Sequence, residues 1–211
     1  MASWETLAAF AAVLAVFAYV PGPATLYAAA QTLARGRKAG LLAAVGLHVG
    51  GYVHVAAAAF GLSALLALVP GAYLAVKLAG ALYLVWLGIG MMWSGRLENA
   101  QSRSGGQPRE RSTLSQSIIV EILNPKAALF FLAFLPQFVD PGAALAVSTQ
   151  MLVLGFVTLL AFTSADVVAV ILADFVVSRL RNSGPVQRAF RWIAGFILVG
   201  LGARLAMESQ R

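Results

Sequence analysis

The feature that most restricts what this chain can fold into is a succession of apolar stretches, each long enough to cross a bilayer. Residues 39–69 hold no Asp, Glu, Lys or Arg, and comparable stretches with few charges occupy 4–34, 72–94, 114–139, 143–177 and 189–207. A spanning helix takes about 20 predominantly apolar residues. The expected fold is therefore an all-α membrane protein of six transmembrane helices, one domain over residues 1–211. Composition agrees, with 60% of residues hydrophobic and only 11% charged, against about 25% charged in soluble domains. No cleavable leader is expected, because no basic region precedes the first stretch and Glu5 lies at its start.

Charge between the stretches gives an orientation. Arg35, Arg37 and Lys38 follow the first span, Arg96, Arg103, Arg109 and Arg111 the third, and Arg179, Arg181 and Arg188 the fifth. The turns after the second and fourth spans hold no Lys or Arg. Cytoplasmic loops carry the excess of Lys and Arg, so loops 35–38, 95–113 and 179–188 are expected in the cytoplasm of a bacterial inner-membrane protein. Both termini then face the periplasm, although Arg204 and Arg211 run against the trend. The net charge of +7 needs no nucleic acid to explain it, since the cations sit in these loops rather than along an aromatic-studded stripe. The Gly- and Ser-containing polar segment 95–113 reads as a flexible loop. Lys77, at the start of the third span, is expected to snorkel to the outer interface.

The chain also repeats itself weakly. Leu84, Val85, Leu87 and Gly88 match Leu198, Val199, Leu201 and Gly202 at an offset of 114. Gly51, Tyr52 and Val53 lie over Gly155, Phe156 and Val157 at 104, and Pro21 to Tyr27 over Asn124 to Phe130 at 103. Three matches in the same order predict two homologous halves, about 4–94 and 114–207. Three helices per half is an odd number, so the second half is inserted upside down.

The first and fourth spans are broken at corresponding points, at Pro21, Gly22 and Pro23 and at Asn124 and Pro125. Proline lacks an N–H and clashes with the preceding turn, so each break frees carbonyls. In hydrocarbon such groups need a partner or a wet cavity. Paired breaks in the two halves of an apolar chain point to a transporter's binding site. Asn124 suits an N-cap with Pro125 in the first helical position. Gly22 and Pro23 can serve likewise, leaving the amides of Ala24, Thr25 and Leu26 at a positive helix end that favours a carboxylate. Ionisable residues inside the spans are functional candidates by default: Glu121 one turn before Asn124, Lys126 just past the break, Asp166 beside Thr163 and Ser164, and His48. Glu121 and Asp166 could bind an ammonium group or carry a coupling proton. Two readings of Glu121 and Lys126 stand side by side, a site and a buried structural ion pair. His48 and His54 suit helix packing as well as ligation. Gly46 with Gly50, and Gly195 with Gly202, allow close helix approach.

Catalytic signals are absent from the sequence. It has no P-loop, no His-Glu-x-x-His run, no Gly-x-Ser-x-Gly elbow and no cysteine. No enzyme, metal or cofactor is expected.

Pro21, Gly22 and Pro23, the run Lys77, Gly80, Ala81, Tyr83, Leu84 and Gly88, and the run Asn124, Pro125, Lys126, Ala127, Ala128, Phe130, Phe131, Pro136, Gln137 and Phe138 together resemble the LysE/RhtB family of amino-acid exporters. The resemblance covers essentially the whole chain. It implies export of an amino acid or similar small metabolite across the inner membrane, with protons and lipid as the other partners. It also implies a substrate site around Pro21, Gly22, Pro23, Asn124, Pro125 and Lys126. Export of another solute, or a membrane-embedded enzyme or scaffold, are the alternatives.

Overall fold

The structure, a computed structural model, describes residues 2–61, 72–101, 107–178 and 184–207. Arg103, Arg179, Arg181 and Arg211 of the sequence reading lie outside them. The described residues are helical, with no strand among them. Helix α1 (Trp4–Tyr19) starts at Ser3, whose Oγ accepts the Thr6 N–H at 3.2 Å. The backbone then extends through Val20 (ψ 115°) and Gly22 (φ −116°, ψ −174°) before α2 (Pro23–Arg35) restarts on its proline. Gly36, at φ 90°, alone separates α2 from α3 (Arg37–Ala59). A side chain there would clash, so the expected four-residue basic turn contracts onto its one glycine. Helix α3 ends at Phe60 and Gly61, well before residue 69.

Helices α4 (Ala72–Gln101) and α5 (Gln107–Ile122) run into the segment expected to be a loop, so 95–101 and 107–113 are helical. Arg, Glu and Gln occur in both extensions, with Leu97 and Ala100 in the first; these are good helix formers, which outweighs the polarity that suggested a loop. Asn124 is extended, and α6 (Pro125–Leu129) follows. It widens into a π turn over Phe130–Phe134 and tightens into a 3₁₀ turn over Leu135–Phe138. Pro136 in that last turn has no N–H for a regular α ladder. The connection to α7 (Val147–Ser178) is held by the fully buried Gln150. Its Nε2 donates to Asp140 O and Leu145 O, both at 2.8 Å, and its Oε1 accepts the Asp140 N–H at 3.1 Å. The last helix is α8 (Gly184–Met207).

Close backbone contact sets the helix pairs. A Cβ on Gly46 would meet Leu114 O at 2.7 Å, and one on Gly50 would meet Ile118 O at 2.7 Å, so α3 lies directly on α5. A Cβ on Gly88 or on Gly195 would meet the other's carbonyl at 2.6 Å, and one on Gly202 would meet Ala81 O at 2.6 Å, so α4 lies closely against α8. Two apolar clusters result. One joins Tyr27, Leu47, Leu84, Val170 and Leu198, and the other joins Phe10, Phe130, Phe131, Leu135 and Leu159. Lys77 is buried, at 3% exposure, so it packs inside the bundle rather than snorkelling outward.

Outward faces are apolar instead: Leu82, Trp86, Phe156, Leu172 and Phe196 are all exposed, the surface a bilayer covers. Helices Arg37–Ala59, Val147–Ser178 and Arg188–Met207 are each long and apolar enough to cross a membrane. The two broken pairs, each bent by 40°, raise the number to five if each is one span, and Lys77–Trp93 is a shorter apolar helix. The protein is a multi-pass membrane protein.

Candidate functional site

Both breaks open onto one small cavity, where the two apolar clusters meet. Ala18 and Gly22 of the first break, Ala24 and Thr25 of α2, Glu121 of α5, Asn124 and Lys126 of the second break, and Phe162 and Asp166 of α7 line it. Its volume is about 20 Å³, room for one or two water molecules. In this conformation the cavity is too small for an amino acid.

The carbonyls that the two breaks leave without a helical partner are met in different ways. The Val20 carbonyl, which a continuous helix would have bonded four residues on, accepts from the Lys126 ammonium. That ammonium also lies over the rings of Phe17 and Phe162, at 5.1 and 5.6 Å from their centroids, in cation–π geometry. Gly22 leaves room for the lysine stem, since a Cβ there would run into Lys126 Cδ. At the second break the Glu121 carbonyl accepts from His54 Nε2 at 2.8 Å. A carbonyl cannot donate, so His54 carries its proton on Nε2; its ring stacks on Phe131 at 5.8 Å. One carbonyl at each break is thus met by a distant side chain, the Glu121 carbonyl alongside the local Asn124 N–H at 3.0 Å.

The helix starts differ too. Asn124 Oδ1 caps its own helix by accepting the Lys126 N–H at 3.1 Å, while its Nδ2 donates to Glu121 Oε2 at 3.0 Å. Gly22 offers α2 no side-chain cap, and the first described backbone bond into α2 is Leu26 N–H to Gly22 O at 2.9 Å. The Ala24 and Thr25 amides therefore remain as donors at the positive end of a 13-residue helix. Asp166 Oδ1 accepts from Thr25 Oγ1 at 2.8 Å, so a buried carboxylate stands beside those donors. Glu121 and Asp166 are exposed by only 3% and 5%.

Of the residues singled out in the sequence, Gly22, Ala24, Thr25, Glu121, Asn124, Lys126 and Asp166 come together around the cavity. Pro21, Pro23 and Pro125 shape the breaks without lining it. Glu121 and Lys126 form no direct ion pair: the carboxylate bonds Asn124 and the ammonium bonds Val20. His48 lies elsewhere, on the α3–α7 contact. Thr163 Oγ1 donates to Leu159 O at 2.8 Å, so its 2.7 Å contact with His48 Nδ1 has the histidine as donor. Tyr52 stands 3.3 Å from Nε2. Ala18 and Phe162 are lining residues the sequence reading missed. Phe162 was within its reach, because it lies four residues, one helical turn, before Asp166; Ala18 precedes extended backbone, and no helical spacing links it to Gly22.

The chain is similar to known proteins over most of its length. Residues 15–209 match the model of the LysE type translocator family. The chain is 32% identical over 195 residues to a leucine efflux protein of Enterobacter sp. (strain 638), covering 89% of this chain and 88% of that one. A leucine efflux protein of Klebsiella pneumoniae subsp. pneumoniae is 31% identical over 196 residues, with the same coverage of 89% and 88%. An uncharacterized membrane protein of Bacillus subtilis (strain 168), YrhP, is 27% identical over 212 residues and is covered completely. No solved structure matches. A match over nearly the whole length, joined to a multi-pass helical fold, shows that the chain belongs to the LysE type translocator family.

Proposed function

We propose that this protein is a secondary exporter of a neutral amino acid with an apolar side chain, leucine being the first candidate, and that it exchanges its substrate for protons across the bacterial inner membrane. In this reading the six spans form two inverted three-helix halves, joined through 95–113, with both termini outside. The observation that carries it is the convergence of two helix breaks, each bent by 40°, on a cavity that also holds two buried carboxylates and a lysine.

The chemistry matches a zwitterion end for end. A substrate carboxylate suits the Ala24 and Thr25 amides at the start of α2, with the Lys126 ammonium close by. The substrate ammonium suits Asp166 and Glu121. An apolar side chain would lie against Phe162 and Ala18, and the names of the two efflux relatives favour leucine. One of the two carboxyls would then exchange its proton for the substrate's ammonium, releasing it to the cytoplasm as substrate binds and recovering one from outside after substrate leaves. A cavity of about 20 Å³ must widen to admit the amino acid, which alternating access between two halves provides.

The test is in cells. Overproduction should raise tolerance to toxic leucine analogues and leucine-containing dipeptides and lower internal leucine. Unchanged tolerance and unchanged efflux across a panel of amino acids would refute the reading.

A further inference from the structure

Below the cavity, toward Arg35, α2 and α5 face each other along two polar rows of which the site uses only Glu121. Tyr27, Gln31 and Arg35 recur every four residues on α2, and Thr113, Ser117 and Glu121 do so on α5. A four-residue period keeps each row on one helix face. The helices run antiparallel here: Arg35 Nη1 donates to Thr113 Oγ1 at 3.3 Å, and the Ser117 side chain stands at the Tyr27 hydroxyl. Glu121, at the other end of its row, lines the cavity. The seam thus leads from the cavity to the exposed Arg35.

Tyr27, Gln31 and Ser117 are 0% exposed. Burying them serves no packing purpose that apolar residues would not serve better. Their donors are nevertheless used in order. Gln31 Nε2 donates to Tyr27 OH at 2.6 Å, Tyr27 OH faces Ser117, and Ser117 Oγ donates to Thr113 O at 2.6 Å. What remains is the Gln31 Oε1 atom, a fully buried acceptor with no donor among the described residues. An amide oxygen of this kind neither gains nor loses a proton at ordinary pH, so it does not relay the coupling ion. It can only accept a hydrogen bond.

Building on the exporter reading, we propose that the α2–α5 seam is the passage by which the amino acid reaches the cavity from the Arg35 side, and that Gln31 Oε1 accepts a hydrogen bond from its ammonium group on the way to Glu121 and Asp166. Parting the seam exposes hydroxyls and an amide that water solvates readily, whereas parting the glycine-packed α4–α8 contact would break close backbone packing. The closed seam leaves one acceptor unsatisfied, which lowers the cost of opening it.

The chain has no cysteine, so a single introduced thiol reports access without background. Proteoliposomes carrying Ser117→Cys, and separately Thr113→Cys, are treated from either face with a membrane-impermeant methanethiosulfonate. Both thiols should react from the Arg35 face only, several-fold more slowly with saturating leucine. On that face Gln31→Leu should raise the KM for leucine about tenfold with kcat little changed, and Gln31→Glu, which keeps an acceptor, should restore it. Unreactive thiols at both positions, labelling indifferent to leucine, or an unchanged KM in Gln31→Leu would each overturn the proposal. Leucine counterflow by the wild type on the same vesicles separates the two failures: without it the exporter reading falls, and with it the fault lies in the seam.

Discussion

Lys126 concentrates most of the site's interactions in one side chain. It donates to the carbonyl that the first break frees, lies over two aromatic rings, and packs its stem where Gly22 leaves room. Lys126→Met keeps the stem and removes the donor, taking from Val20 O its charge-assisted hydrogen bond. That should cost about 1–3 kcal/mol, read as a lower thermal midpoint in detergent, together with at least a tenfold loss of efflux. His54→Leu should lower the midpoint by less, because the Glu121 carbonyl keeps the Asn124 N–H at 3.0 Å, and a midpoint equal to wild type would show that the cap is dispensable. Glu121→Gln and Asp166→Asn should each reduce efflux with membrane insertion intact; wild-type transport in both would remove the carboxylates from the account. Nearly all the residues around the cavity were legible in the sequence, because helix breakers and intramembrane charges stand out in an apolar chain. Their partnerships were not. Val20 and Lys126 are 106 residues apart, and His54 and Glu121 are 67 apart. No periodicity within one span reports which carbonyl a distant side chain will cap.

Among the elements, the broken helices and the glycine-lined contacts carry the fold. The Gly88 and Gly90 pair separates packing from propensity. A Cβ at Gly88 would meet Gly195 O at 2.6 Å, whereas one at Gly90 would meet nothing within 4 Å. Gly88→Leu should therefore force α4 off α8 and reduce folded yield in size-exclusion chromatography. Gly90→Ala should be neutral or gain up to about 1 kcal/mol from helix propensity. Equal behaviour of the two variants would contradict the α4–α8 packing. Element positions were read well where apolar runs meet a proline or a glycine, as at Gly22 and Asn124. They were read poorly at 95–101 and 107–113, where helix-forming polar residues continue a span past the apolar run. The widening and tightening of the chain after α6 was not foreseen either, because it depends on how Phe130, Phe131 and Leu135 pack against α1 and α7 as well as on Pro136.

For the whole molecule, the proposal of inverted halves with both termini outside makes the basic turns cytoplasmic. In the cysteine-free chain, Arg37→Cys should react with an impermeant thiol reagent only from the cytoplasmic face and Asp140→Cys only from the opposite one. Labelling of both from the same face would break the alternation on which the inverted halves depend. Proton exchange predicts that an inward proton gradient accelerates leucine efflux; an Asp166→Asn protein that retains counterflow but ignores the gradient would assign the coupling proton to that residue. The central claim, that the cavity between the two breaks carries an amino acid, is tested most directly by leucine counterflow in proteoliposomes. The account predicts transient uptake of labelled leucine into vesicles preloaded with unlabelled leucine, strongly reduced by Glu121→Gln combined with Asp166→Asn. Uptake no greater than in protein-free vesicles, for leucine and for every other amino acid tried, would contradict it.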